Sequence, residues 1–383
     1  MKIGITCYPT YGGSGVIATE LGKGLARKGH KVHFITYREP ARLDTFDANI
    51  YYHEVRFADY PLFEYTPYET ALASRMVDIV LFEKLDLLHV HYAIPHASAA
   101  FMAKQILLTK NINIPIITTL HGTDITLVGK DPTYSPVVTF SINRSDGVTA
   151  PSQNLKEETY SHFDIDKEIE VIPNFVDFSR FSKSNKDHFK KALAPNGEKV
   201  LVHTSNFRPV KRVLDVVRIF DKVRAKIPSK LLLIGDGPER QKAEILCREL
   251  GNCNDVRFLG KQDAIEELLA IADVFIMPSE SESFGLAALE AMAVQVPVIS
   301  SNTGGIPEIN IDGNTGFTSN VGDVEEMSKN AIALLSDEEL LTKFRENAFK
   351  QSQNFNLDKV LPLYEDYYSK IVEQVQKEVP LLS

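Results

Sequence analysis

Short runs of β-branched and apolar residues recur along the chain, and stretches with helical spacing separate them. KIGITC (2–7), KVHFIT (31–36), LLHVHY (87–92), IPIITTL (114–120), GVTA (147–150) and IEVI (169–172) form one series. KVLVHTS (199–205), KLLLIG (230–235), VRFLG (256–260), DVFIMP (273–278) and VPVIS (296–300) form a second. The runs are apolar throughout rather than alternating, which predicts parallel strands covered on both faces. Among the intervening stretches, VIATELGKGLARKG (16–29) has helical spacing and closes on Gly29, as a helix C-cap does. The predicted fold class is α/β, with two doubly wound Rossmann-like domains. PNFVDFSRFSKSNKD (173–187) is polar and aperiodic and reads as a linker, and the domains are placed at 1–172 and 173–357. From residue 323 onward the pattern is almost all helix.

Composition narrows the partners. A chain of 383 residues exceeds one ordinary core. The net charge of −9 argues against a nucleic-acid or anionic-membrane surface as the main partner. Cys7, Cys247 and Cys253 contain no C-x-x-C pair, which excludes a disulfide framework or zinc ribbon and fits a reducing cytosol. The apolar run in MKIGITCYPT is too short for a signal peptide, and no later segment is long enough to span a bilayer. The expectation is a cytoplasmic protein.

Ligands of doubly wound sheets lie beyond the carboxyl ends of the strands, so the chemistry is sought in the segments that follow each run. After the first run, Gly13-x-Gly15-x-x-Ala18 fits a dinucleotide fingerprint and equally a tight strand–helix turn that binds nothing. After the fourth, TTLHGTDIT sets His121 on a turn, as a structural or a functional imidazole. HVHYAIPHA (89–97) carries three histidines, and an H-x-H can ligate metal. No carboxylate or cysteine stands at ligand spacing beside it, so a structural role is preferred.

In SNFRPVKRV, Arg208 and Lys211 open a helix expected from about Val210, with Ser205 and Asn206 alongside. A bidentate Arg, a point-charge Lys and orphan backbone N–H groups suit a diphosphate. GDGPE (235–239) is a glycine turn where backbone could approach a ligand. PSESESFGLAALEAM (278–292) places Glu282 before Gly285 and Glu290 within an otherwise apolar helix. Eight helical residues rise about 12 Å, so the two acids can meet hydroxyls at different parts of one extended ligand. A sugar nucleotide satisfies this constellation. Glu290 alone could equally be capping or pairing within the core.

With ESFGLAALE as E-x7-E, RPVK, GDGPE, YGGSG and GGIPEI (304–309), the chain resembles the family-4 retaining glycosyltransferases of GT-B fold over nearly its whole length. KIGITCYPTYGGSG, HVHYAIPHA and TTLHGTDIT are similar, within that family, to enzymes that join N-acetylglucosamine from UDP-N-acetylglucosamine (UDP-GlcNAc) to L-malate, the first step of bacillithiol biosynthesis. The resemblance implies that Arg208 and Lys211 hold the diphosphate with Ser205 and Asn206 nearby, and that Glu290 binds the ribose. It gives Glu282 and the backbone of Ser283, Phe284, Gly285 and Leu286 to the donor sugar and phosphate, and Gln262 to the uracil. Gly13 and Ser14 would stand near the diphosphate and acceptor, and His121 near the sugar.

Ser14, Tyr92, Thr119 and Arg144 are acceptor candidates by position. The resemblance further implies two domains closing over a cleft, a terminal helix (358–383) crossing back to the first, no cofactor, no metal and, by analogy, a homo-oligomer. Gln295 stands where the family usually has glycine, past the site. Asp164-Ile165-Asp166, a D-x-D, lies in a charged loop and reads as solvated surface.

Four rival readings remain. A UDP-GlcNAc 2-epimerase needs first-domain carboxylates for proton work, and none is evident after the first or fourth run. A nicotinamide oxidoreductase leaves Arg208, Lys211, Glu282 and Glu290 unexplained. A family-4 transferase with another small polar acceptor, or a binder without activity, shares the same residues.

Overall fold

The computed structural model describes residues 1–43, 46–57, 65–182 and 187–377. They divide into two compact units, Met1–Asn174 together with the chain from Leu357, and Phe175–Asn356. In the first unit the strands are β1 (Lys2–Thr6), β2 (Lys31–Thr36), β3 (Ile50–Glu54), β4 (Leu87–His91), β5 (Ile116–Thr119), β6 (Gly147–Ala150) and β7 (Ile169–Val171). They pair in parallel in the order β3-β2-β1-β4-β5-β6-β7. In the second unit β8 (Lys199–Thr204), β9 (Ser229–Ile234), β10 (Val256–Gly260), β11 (Val274–Met277), β12 (Val298–Ser301) and β13 (Gly316–Ser319) pair in parallel in the order β10-β9-β8-β11-β12-β13.

The strand order reverses between β1 and β4 and again between β8 and β11. At such a switch point the following loops part to opposite faces and leave a crevice at the strand ends. The segments after β1 and β4 carry Gly13, at the start of its helix, and Tyr92, and the loops after β8 and β11 carry Arg208 and Glu282. These four residues therefore lie beyond the carboxyl ends of their strands.

Central strands are buried on both faces: Ile3, Ile5, Leu88, Val90, Val200 and Val202 have no exposed surface. This agrees with their uninterrupted apolar sequence. β3 and β13 were not foreseen. β3 is an edge strand, IYYHE, whose residues are mostly exposed, and β13 is four residues beginning with glycine. Neither carries the apolar signature of a doubly covered strand.

The helix Gly13–Arg27 ends as its sequence predicts. Gly29 takes φ +90°, its N–H donates to Ala26 O, and the His30 N–H donates to Leu25 O, a Schellman closure. The helix Leu357–Lys377 belongs to the first unit. Leu357, Val360, Leu361, Tyr364, Tyr367, Tyr368 and Ile371 form its buried stripe at helical spacing. Two polar tips fix it: the Tyr367 hydroxyl accepts from the Val148 N–H at 2.9 Å, and the Tyr368 hydroxyl meets His89 Nδ1 at 2.7 Å.

Candidate active site

In the second unit the loop after β8 differs from the helix opening expected at Val210. Pro209–Lys211 is a single 3₁₀ turn, Arg212 takes a left-handed φ of +49°, and the helix runs Val213–Arg224. Arg208 and Lys211 thus sit ahead of the helix rather than on its first turn. Arg208 is exposed. Lys211 Nζ lies 2.6 Å from Glu282 Oε1, which also accepts from Ser279 Oγ at 2.8 Å. The two loops are tied by backbone as well, since the Glu280 N–H donates to Val210 O at 2.8 Å.

Ser205 is engaged within its loop. Burial lowers the pKa of His203 to about 4, so the ring is neutral, and Nδ1–H donates to Ile276 O at 2.8 Å. Nε2 is then an acceptor for the Ser205 hydroxyl at 2.8 Å, while Ser205 Oγ accepts from the Phe207 N–H at 3.2 Å. The Ser205 side chain is a staple that holds the loop shape. Asn206 beside it is exposed.

The glycines of GDGPE and GGIPEI approach the protein's own backbone. A Cβ on Gly235 would stand 1.8 Å from Ser205 O, and one on Gly237 2.0 Å from Asn206 O. A Cβ on Gly304 would stand 1.9 Å from Glu282 O, and the Gly305 N–H donates to that same oxygen at 2.9 Å. These glycines set the loops that carry the marked side chains.

Gly285, at φ +98°, caps the helix Leu286–Ala293, so Glu282 and Ser283 are loop residues and Glu290 is the fifth of the helix. Phe284 is buried and packs edge-on against Phe355 at 5.5 Å. Leu286 and Ser283 are half-buried. Glu290 is 6% exposed, on the helix that otherwise buries Ala288, Leu289, Ala291, Met292 and Ala293. Gln262 is exposed, its amide donating to Leu259 O at 2.7 Å.

In the first unit Gly13 and Ser14 are the first residues of their helix, exposed and half-buried respectively. Gly15 lets the loop fold on itself, because a Cβ there would stand 2.4 Å from both Tyr8 O and Thr10 O. Behind this loop lies a buried histidine group. His91 Nδ1 meets His121 Nε2 at 2.8 Å, and His89 Nε2 meets Thr119 Oγ1 at 2.7 Å. The Tyr92 ring lies 5.1 Å from His121 and 5.2 Å from Tyr8. Burial lowers His89 and His121 to about 3 and His96 to about 4, so the imidazoles are neutral.

Sequence reasoning missed Asp124, a carboxylate directly after β5. It is 2% exposed, and its oxygens accept from the Ala93 N–H at 3.0 Å and the His121 N–H at 3.1 Å. Burial raises its pKa to about 6 against those bonds. It clamps the turn bearing His121 to the segment after β4 at Ala93. Its signal was the Asp three residues past His121 in HGTD, the spacing of a side chain that closes a turn.

Of the other two acceptor candidates, Thr119 lies within this group with its hydroxyl engaged, and Arg144 is not brought to it. Thr119 is 1% exposed and its hydroxyl is taken by His89 and by Thr149 Oγ1 at 2.6 Å. Arg144 follows the helix Ser135–Asn143 and precedes β6, which puts it at the amino-terminal edge of the sheet, opposite the strand ends. It is exposed, with its guanidinium 5.5 Å from the Phe140 ring. Asp164 and Asp166 are exposed too, in a loop held through Asn143.

Residues 11–180 match the family model described as Glycosyltransferase Family 4, and residues 184–351 match that of Glycosyl transferases group 1. The chain is 47% identical to the N-acetyl-alpha-D-glucosaminyl L-malate synthase of Bacillus anthracis over 97% of both chains. Among solved structures it is similar to Anabaena Alr3699/HepE in complex with UDP and glucose, with TM-score 0.82, 20% identity, and 96% and 99% of the two chains covered. It is also similar to the sucrose-phosphate synthase of Thermosynechococcus elongatus, with TM-score 0.80, 19% identity, and 98% and 100% covered. At these identities the two structures speak for the fold alone. Among the described residues no helix is long and apolar enough to cross a membrane.

Proposed function

We propose a specific reaction from the premise that this chain belongs to glycosyltransferase family 4 and has the GT-B fold: transfer of N-acetylglucosamine from UDP-GlcNAc to the hydroxyl of L-malate, with retention at the anomeric carbon. The observation that carries it is the near full-length relation to the Bacillus anthracis synthase, at 47% identity.

The donor-side loops supply the electrostatics. Arg208 and Lys211 would hold the diphosphate, beside the Ser205–Asn206 backbone that His203 and Gly237 keep in shape. Glu290 would take the ribose, Gln262 the uracil, and Glu282 the sugar hydroxyls. The Lys211–Glu282 pair gives the binding step a definite course. A diphosphate competes for the ammonium, and Glu282, still held by Ser279, is left to accept from sugar O–H groups. In the transfer, the bond from the anomeric carbon to the phosphate oxygen breaks and the malate oxygen bonds to that carbon. The malate hydroxyl proton goes to the departing phosphate on the same face. No carboxylate nucleophile takes part, and Lys211 faces charge that grows as the bond breaks.

Ser14, Tyr92 and the N–H groups opening the helix Gly13–Arg27 are the remaining candidates for the malate carboxylates, with His121 at the sugar. The experiment is incubation with UDP-GlcNAc and a panel of small hydroxy acids and polyols, with products identified by mass and anomeric NMR. An α-linked glucosaminyl malate formed in preference to other products is expected. Free N-acetylmannosamine or an unchanged donor would refute the reading.

A further inference from the structure

Away from the strand ends, β2, β3 and the helix Tyr68–Glu83 bring three possible metal ligands together. His33 and His53 point to the same face of the sheet, because His53 pairs with Ile35, two residues beyond His33. His33 Nδ1 and His53 Nε2 are 2.9 Å apart, with ring planes 10° from parallel. Glu83 is the last residue of its helix, and one ligand atom from each of the three residues lies within 4.8 Å of the others. No other such group of three occurs among the described residues.

A second observation points to a ligand. His33 is 1% exposed and its other nitrogen, Nε2, is buried without a hydrogen-bond partner. Two neutral imidazoles that face each other share one hydrogen bond, and a buried nitrogen left over is costly. Glu83 adds a carboxylate at a helix C-terminus, where the carbonyl ends already concentrate negative potential. A Lys2 ammonium offsets part of this by donating to Glu83 O at 2.6 Å, and Arg75 is occupied by Asp78 at 2.5 Å.

We propose that His33, His53 and Glu83 form a binding site for Zn²⁺ or a similar imidazole-preferring divalent ion. Bonds of about 2.0–2.1 Å in tetrahedral geometry separate donors by roughly 3.3 Å. The three donors, now within 4.8 Å of one another, close toward that separation as the half-buried Glu83 carboxylate swings inward. Two nitrogens and one oxygen favour Zn²⁺, Co²⁺, Ni²⁺ or Cu²⁺ over Mg²⁺ and Ca²⁺. Burial keeps both rings in the neutral form that ligates, His33 down to about 4 and His53 lowered. Such an ion ties the edge strand β3 to its neighbour and to the helix. Glu83 lies just before β4, at the sheet edge opposite Gly13 and Tyr92, so the ion has a structural role and takes no part in transfer.

The test uses the full chain, stripped with a chelator and titrated with Zn²⁺ alone and Co²⁺ alone. One equivalent of Zn²⁺ should bind and raise the melting temperature. His53→Ala and Glu83→Gln should each weaken binding by about tenfold or more and abolish the thermal shift. Co²⁺ should give visible bands of nitrogen and oxygen ligation, a readout independent of any variant. Thiolate charge-transfer bands would place the ion at Cys247 and Cys253 and overturn the proposal. It would be overturned equally by wild-type affinity in both variants, or by no saturable uptake in the unaltered chain.

Discussion

Lys211 Nζ stands 2.6 Å from Glu282 Oε1 across 71 positions of sequence. The cation expected at a diphosphate and the acid expected at a sugar hold one another. Each is part-buried, and in the proposed reaction each would give up this partner to bind its share of the ligand. The pairing makes the roles proposed for them interdependent.

Lys211→Ala should depress kcat more than it weakens donor binding. In the proposed reaction the ammonium would exchange one anionic partner, Glu282, for another on binding, so its ground-state contribution would partly cancel. Its partner's charge then rises as the phosphate departs. A loss of about 2–4 kcal/mol in barrier is expected, as for other preorganised donors. Steady-state rates at saturating UDP-GlcNAc decide, and an unchanged kcat removes Lys211 from leaving-group stabilisation.

Glu290→Gln and Glu282→Gln should separate. The first should weaken UDP itself, whose ribose is present in substrate and product alike. The second should leave UDP affinity nearly intact or raise it slightly, since it frees Lys211, while cutting transfer and loosening discrimination among donor sugars. Calorimetry with UDP and with the intact donor measures both. Equal loss of UDP affinity in the two variants contradicts this division of roles.

Gly237→Ala should impair donor binding although glycine offers no side chain to a ligand. Its Cβ would meet Asn206 O at 2.0 Å, so the loop bearing Asn206 and Arg208 must shift. Gly313→Ala is the control: φ there is +67° but nothing lies within 4 Å of the added carbon. The control should show only the backbone cost of about 1 kcal/mol in a melting experiment. UDP affinity should fall in the first variant alone.

Transfer should survive EDTA, because in the proposed reaction Arg208, Lys211 and backbone N–H groups would supply positive charge at the donor. The site proposed at His33, His53 and Glu83 would lose its ion and only lower the melting temperature. Activity lost on chelation and restored by Mg²⁺ or Mn²⁺ would return Asp164 and Asp166 to consideration.

Stability should fall on acidification below about pH 6. His89 and His121 are held at about 3, and His33, His96 and His203 at about 4, against an ordinary value of 6.5. Between those limits the unfolded chain binds more protons, so stability rises with pH up to about 6.5 and then levels off. Asp124, raised to about 6, works in the opposite sense from about 4 to 6, but it is one group against five. Thermal melts from pH 4.5 to 7.5 test the sign, and a midpoint independent of pH would contradict it.

Much of the molecule was legible in the residues themselves. Eleven apolar runs correspond to strands, Gly29 closes its helix, and the resemblance carried by RPVK and ESFGLAALE holds at the level of the family. Periodicity encodes such elements because side-chain direction follows directly from backbone geometry. β3 escaped because an exposed edge strand has no doubly covered face to write into its sequence, and β13 because four residues make no pattern.

Only the tertiary structure decided which loops became neighbours. Strand order places β8 against β11, which sets Lys211 on Glu282, and the same packing requires Gly235, Gly237 and Gly304 to admit another backbone. It put Thr119 inside a hydrogen-bonded chain, sent Arg144 to the far edge of its sheet, and gathered His33, His53 and Glu83 from three elements. Contacts of this kind depend on loop closure over tens of residues and on which faces are buried. Local spacing carries no term for either.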